Sequence, residues 1–194
     1  MITVDTVTRG DSFKLLETMD DKSVDLIITD PPYNFDFAKR FTLQNHFERI
    51  CKGCILVFSP PENPWIFPAD QYLFWVKPIS TKNTSKKYSR FVEMVFVYGN
   101  GYWNPNRHWS QYTNIFNDLV EEKDHPYKKP SSLIERLILN HSKPGHIILD
   151  PFVGSGTTCI VAKALKRSYI GIEINEEFYN LSMKRLGEYG FYTI

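Results

Sequence analysis

Asp30, Pro31, Pro32 and Tyr33 follow directly on the apolar run "SVDLIIT" (23–29). Such a run reads as a buried strand. Asp30 then stands at its carboxyl end, and two prolines stiffen the chain just after it. Packing gives no reason to end a strand on an acid, two prolines and a tyrosine. A carboxylate and an aromatic ring held this rigidly are parts of a site.

A second group of residues lies near the end of the chain, in "HIILDPFVGSGTTCIVAKAL" (146–165). An apolar strand ends at Asp150, a turn with Gly154 and Gly156 follows, and a helix opens near Thr157. Glycines let a backbone approach a ligand closely, and a helix N-terminus offers free N–H groups. No Gly-Lys-Ser/Thr follows, so this is not a phosphate-binding P-loop, and a third glycine of the dinucleotide fingerprint is missing. Asp150 would repel a pyrophosphate and attract a cation. About 18 residues beyond the glycines, "YIGIEI" (169–174) carries Glu173. An acid at that spacing accepts hydrogen bonds from ribose hydroxyls in nucleotide-binding α/β folds. A nucleoside with a cationic tail and no phosphate suits this pair of acids, and S-adenosylmethionine has that character. A tight turn of purely structural value is the competing reading.

The elements that must position these residues can be read along the chain. Continuous apolar runs predict strands over 2–7, 24–29, 54–59, 72–77, 91–98, 146–150 and 168–174. Helical spacing and caps predict helices over 12–19, 40–51, 131–141, 156–166 and 175–187. Alternating strands and helices indicate an α/β domain around a mainly parallel sheet with helices on both faces. Too little chain follows Asp150 to complete that sheet. The strand before Asp30 must therefore lie beside the strand before Asp150, with both acids at one carboxyl edge.

Composition sets the limits. The chain has 194 residues, 15% of them aromatic, with a net charge of +1. That length suits one domain with a real core. No apolar run is long enough to span a membrane, and the start lacks a signal-peptide pattern, so a cytoplasmic location is expected. Three cysteines argue against a disulfide framework. "CKGC" (51–54), with His46 nearby, has the spacing of half a zinc site, but no second pair follows. A helix-to-strand turn is the simpler reading, and no metal is expected. Between 77 and 90 the chain carries Lys77, Lys82, Lys86, Lys87 and Arg90 with no acid. This basic loop could meet a phosphate backbone or be a solvated surface.

Taken together, these stretches resemble the amino-methyltransferases of DNA, in the group whose Asp-Pro-Pro-Tyr motif precedes the cofactor motif. The pieces that carry the resemblance are "GDSFKLLETM" (10–19), "TDPPYN" (29–34), "HPYKKPSSLIERLI" (125–138), "LDPFVGSGTT" (149–158) and "YIGIEINEEFYNLSMKRL" (169–186), in the family's order. The middle of the chain matches only in its strand pattern. The resemblance implies a Rossmann-like methyltransferase fold with permuted motif order, in one domain over 1–194. A small target-recognition region would lie within about 77–125.

It also implies roles. Asp30, Pro31, Pro32 and Tyr33 would be catalytic. Asp150, Pro151, Phe152, Gly154, Ser155, Gly156, Thr157 and Thr158 would form the cofactor loop, Glu173 would hold the ribose and Asp11 the adenine amino group. Lys129 and Pro130 would wall the methionine end, although Tyr127 and Lys128 depart from the family's pattern there. The implied reaction moves a methyl group from S-adenosylmethionine to the exocyclic amino group of adenine in DNA, with the target base flipped out. Asp before Pro-Pro-Tyr favours adenine. Cytosine N4 or RNA is the alternative within the chemistry, and a nucleic-acid-binding module without catalysis is the alternative outside it. Lys82, Lys86, Lys87, Arg90, Arg107 and His108 are the candidates for DNA contact, the last two within an aromatic stretch with Tyr102, Trp103, Trp109, Tyr112 and Phe116. The short recognition region leaves open a homodimer, and the family leaves open a cognate restriction endonuclease.

Overall fold

In a computed structural model, residues 3–77, 91–119 and 129–189 are described. The chain runs β1 (Thr6–Arg9), α1 (Ser12–Glu17), β2 (Val24–Thr29), α2 (Phe37–Ile50), β3 (Cys51–Ser59), β4 (Gln71–Val76) and β5 (Val92–Tyr98). A 3-10 turn (Trp109–Tyr112) and β6 (Ile115–Phe116) follow. The chain then continues through α3 (Ser131–His141), β7 (Ile147–Asp150), α4 (Thr157–Ala164), β8 (Ser168–Glu173) and α5 (Glu176–Tyr189).

The described strands form one sheet in the order β1-β8-β7-β2-β3-β5-β4-β6. Parallel pairing joins β1, β8, β7, β2 and β3, while β5 runs antiparallel to both β3 and β4. β2 and β7 are neighbours, with Leu26 opposite Ile148, as the shortage of chain after Asp150 requires. From this pair the chain winds outward in both directions, to β3 on one side and β8 on the other. The crevice above their carboxyl ends is therefore the switch point where α/β sheets take ligands.

Apolar residues on both faces explain the continuous runs. One core layer packs Leu26, Ile28, Leu56 and Ile148 against Leu133, Leu137, Val161 and Leu186 of α3, α4 and α5. The other packs Ile27, Ile55, Val57 and Leu149 against Leu16 of α1 and Leu43, Phe47 and Ile50 of α2. α2 buries Arg40, Leu43, Gln44, Phe47 and Ile50, the spacing of one helical face.

Element bounds depart from expectation by three residues or more at three places. Expected from residue 2, β1 starts at Thr6, because residues 3–5 form a turn that places Asp5 at φ +60°. α2 begins three residues earlier than predicted, since the Asp36 carboxylate caps it by accepting from the Lys39 N–H at 2.9 Å. The stretch "CKGC" is not a helix-to-strand turn but the first residues of β3, which contain a bulge against β2. Gly53 sits in that bulge so close to the Asp25 carbonyl that any side chain would collide with it. β6 has only two residues, too short for a sequence signal.

Candidate active site

Parallel strands deliver their carboxyl ends to one edge. β1 leads to Asp11, β2 to Asp30, β7 to Asp150 and β8 to Glu173. These acids line a cleft of about 770 Å³ together with Pro31, Pro32, Tyr33, Lys129, Phe152, Gly154, Ser155, Thr157 and Thr158. Most of the residues expected at the two sites thus share one cavity. Pro130, Pro151 and Gly156 stand just behind it. Pro130 precedes the first turn of α3, the Pro151 carbonyl accepts from Ser12 Oγ at 2.5 Å, and Gly156 precedes α4.

The glycine loop is held by the acid that follows it. Glu173 accepts from the Gly154 N–H through one oxygen and from the Asn175 N–H through the other, each at 2.8 Å. Each oxygen keeps lone-pair capacity for a further donor. Gly156 has φ +86°, and a Cβ there would lie 3.0 Å from Ser182 Cβ on α5. Glycine is therefore required where this turn passes beneath α5. Asp11 caps α1 by accepting from the Phe13 N–H at 2.9 Å. Phe13, Phe35 and Phe152 line the cleft in a chain of ring contacts, 5.6 and 5.8 Å between centroids. Such walls suit a flat heterocycle. Asp150 is buried, and burial pushes its carboxyl up to about 7, against hydrogen bonds from Thr158 and the Phe152 N–H that favour the charged form. Bare glycines, two acids with acceptor capacity and a buried carboxyl calling for a cation fit a nucleoside with a positively charged tail.

The Asp30 loop is clamped from below. The buried Arg40 guanidinium donates to the carbonyls of Tyr33 (3.0 Å), Phe35 (2.9 Å) and Pro64 (2.7 Å). Asn63 also donates to the Tyr33 carbonyl. Above the clamp sits a network that the sequence reading did not contain. Lys129 Nζ lies 2.7 Å from Asp30 Oδ2 and also pairs with Glu93 Oε1. The Tyr33 hydroxyl donates to Glu93 Oε1 at 2.9 Å, and Lys77 Nζ pairs with Glu93 Oε2 at 2.6 Å. Burial alone would raise the Glu93 carboxyl, but Lys129 and Lys77 outweigh it and hold the group down to about 2. Burial pushes the Asp30 carboxyl up while Lys129 pulls it back. The Tyr33 phenol is raised by burial and by both carboxylates, so it stays a neutral donor. With Oδ2 engaged, Asp30 Oδ1 is buried and has no hydrogen-bond partner among the described residues.

Glu93 was legible only as an anomaly, a lone acid inside "FVEMVFVY". Lys129, expected at the cofactor wall, does line the cleft, but its ammonium is committed to Asp30 and Glu93. Arg107 and His108 are not brought to the cleft. Arg107 donates to Gln111, and His108 pairs with Ser110. Their turn is tied by Asn140 to the far end of α3, at the opposite edge of the sheet. The surrounding rings mostly pack: Tyr102 meets His146, Trp103 meets His141 and Tyr112, and Phe116 is fully buried. Trp109 stands exposed. Lys82, Lys86, Lys87 and Arg90 lie outside the described residues. Cys51 and Cys54 are free and buried, and the described residues hold no group of three metal-ligating side chains.

Comparison with known proteins adds a further line of support. Residues 52–184 match the model of a family described as DNA methylase. Type II methyltransferase M.HpaI of Haemophilus parainfluenzae is 28% identical, over 91% of this chain and 72% of its own. DNA adenine methyltransferase YhdJ of Escherichia coli (strain K12) is also 28% identical, over 97% of this chain and 84% of its own. Among solved structures, the M1.HpyAVI–SAM complex superposes with a TM-score of 0.74 at 27% identity, covering 93% of this chain and 98% of that one. The PvuII cytosine-N4-specific DNA methyltransferase, at 17% identity and a TM-score of 0.76, covering 95% of this chain and 90% of that one, shares the fold.

Proposed function

This chain belongs to the DNA methylase family of N6/N4 amino-methyltransferases, and on that premise we propose that it methylates adenine at N6 in DNA. Its cofactor is S-adenosylmethionine, which supplies a methyl group carried on a sulfonium. Gly154, Ser155 and the start of α4 would cradle it, with Glu173 at the ribose, Asp11 at the adenine amino group and Asp150 facing the positive charge.

The observation that carries the reading is the free oxygen of Asp30. An exocyclic amino group is a poor nucleophile because its lone pair is delocalised into the ring. Two acceptors aimed at its hydrogens draw it toward a tetrahedral form and release that lone pair. Asp30 Oδ1 is one acceptor, and the neighbouring Pro31 carbonyl is the other. Both sit on a loop that Arg40 and Asn63 hold rigid, so the protein contributes mainly position and electrostatics. Tyr33 stacks on the flipped base, a contact of about 1–3 kcal/mol by analogy with single-strand binders.

Adenine as the base is supported by the aspartate that opens Asp-Pro-Pro-Tyr and by the likeness to an enzyme named as an adenine methyltransferase. The relatives named type II methyltransferases support a place in restriction–modification, with a cognate endonuclease as the expected partner. Among the described residues no helix is long and apolar enough to cross a membrane.

The test is mass spectrometry of nucleosides from DNA and RNA incubated with the protein and labelled S-adenosylmethionine. N6-methyladenine in DNA is the expected product. N4-methylcytosine, or a product confined to RNA, would replace the reading. Asp30→Ala should abolish transfer while calorimetry finds cofactor affinity nearly unchanged, and retained activity would remove Asp30 from its role.

A further inference from the structure

We propose that Glu93 is a positioning residue for methyl transfer, acting through Lys129 and the Tyr33 hydroxyl to fix Asp30 and the Tyr33 ring against each other. The inference rests on the reading of Asp30 as the acceptor of the amino hydrogens. It assigns a role to a residue outside every motif that points to the reaction.

The placement follows from the sheet. β5 runs antiparallel to β3, with Met94 opposite Ser59 at the last residue of that strand. The beginning of β5, not its end, therefore reaches the carboxyl edge. Glu93 enters the site from there and is only 2% exposed. A carboxylate buried in a strand of Val, Met and Phe is costly without partners. It has three, and two of them touch the candidate acceptor loop. Lys129 bridges Glu93 and Asp30, and Tyr33 donates its hydroxyl to Glu93. The third, Lys77 at the end of β4, pairs with the other Glu93 oxygen. Lys129 also lies over the rings of Phe58 and Trp75, 4.9 and 5.8 Å from their centroids, so its ammonium has little room to wander.

Two consequences follow. The first is geometric. One Glu93 oxygen receives both the Tyr33 hydroxyl and the Lys129 ammonium, so it sets the ring plane and the Asp30 carboxylate from a single point. Lys129 occupies Oδ2, so the acceptor capacity left uncommitted on Asp30 is that of the buried Oδ1. The second is electrostatic. Lys129 is shared between two carboxylates. Glu93 keeps Lys129 charged yet draws part of its field away from Asp30, which stays a stronger hydrogen-bond acceptor than in a pair by itself. The groups facing Asp30 are Lys129 before α3, Glu93 on β5, Tyr33 on its own loop and Asp150 at the end of β7. Lys77 faces Glu93 from the opposite side.

The experiment compares the full chain with Glu93→Gln and Lys129→Met, following kcat, KM for DNA, cofactor affinity, and the pH titration of the Asp30 carboxyl by carbon-13 NMR. Glutamine keeps the length and an acceptor oxygen but loses the charge. Glu93→Gln is expected to lower kcat by about 10- to 100-fold with cofactor affinity within about twofold, a split that general structural damage would not give. The Asp30 midpoint should move down by about one pH unit in Glu93→Gln, which removes a like charge, and up in Lys129→Met, which removes an opposite one. A folded Glu93→Gln with unchanged kcat and an unchanged Asp30 midpoint overturns the proposal. If Glu93→Gln does not fold, Tyr33→Phe takes its place, since it keeps the ring and cuts only the hydroxyl link. An unchanged kcat there also overturns the proposal, and a fall of about tenfold supports it. Wild-type protein that transfers no methyl group to any nucleic acid would refute the functional reading, while the Asp30 titration would still test the network.

Discussion

At the scale of single residues, Asp150 makes the clearest pH prediction. Its carboxyl is held near 7 by burial, and a cationic ligand stabilises its ionised form. Cofactor affinity should then be full above pH 7 and fall about tenfold per pH unit below it, until the carboxyl of the complex protonates. Calorimetry from pH 6 to 8 on the wild type and Asp150→Asn reads this directly, and an equal slope in both would show that Asp150 does not face the charge. The sign for the ligand-free fold is opposite. A carboxyl raised above its unfolded value stabilises the fold at low pH, and that contribution disappears as pH rises to about 7. Glu173 accepts from the Gly154 and Asn175 N–H groups and keeps lone-pair capacity for the ribose hydroxyls proposed to bind there. Glu173→Ala should weaken the cofactor by about 1.5–3 kcal/mol and leave DNA affinity in place. An unchanged cofactor affinity would place the ribose elsewhere.

At the scale of elements, the site depends on how strands hand over to helices. The turn between β7 and α4 works because Gly156 adopts φ +86° under Ser182 of α5. Gly156→Ala meets both a strained backbone and a neighbouring helix at 3.0 Å. It should cost about 1–3 kcal/mol of stability and weaken cofactor binding with it. Chemical denaturation together with titration checks the pair, and loss of stability without loss of affinity would separate the turn from the ligand. On the other side of the cleft, α2 does more than cover the sheet. Arg40 is on its buried face, yet its guanidinium holds the loop after β2 by two carbonyls, Tyr33 and Phe35, and ties it to the Pro64 carbonyl after β3. One helix thus supplies a core face and the clamp for the candidate acceptor.

For the whole molecule, a net charge of +1 gives no general attraction to nucleic acid, so affinity for DNA must come from local charge. Lys82, Lys86, Lys87 and Arg90 remain the proposed source. Replacing Lys86 and Lys87 by alanine should make the log–log salt dependence of DNA affinity shallower by nearly two contacts, at about 0.9 each. Target and non-target duplexes should weaken about equally, because phosphates carry no sequence. An unchanged slope over a salt series would turn this segment back into a solvated surface.

Much of this protein was determined by its sequence. The runs before Asp30 and Asp150 read as strands buried on both faces, and the glycines after Asp150 as a tight turn into a helix. The small amount of chain left after Asp150 required β2 and β7 to be neighbours. Those features are local, or follow from counting residues. Other decisions belonged to the tertiary structure. The pairing of Lys129 with Glu93 depends on β5 lying antiparallel beside β3, and nothing within "FVEMVFVY" states its direction or its neighbour. The same applies to Arg107 and His108, charged and close to aromatics in sequence but anchored at the edge opposite the cleft. Periodicity reports which face of an element is buried, whereas a site built between elements is fixed by strand order and direction, which set what meets at each edge of the sheet.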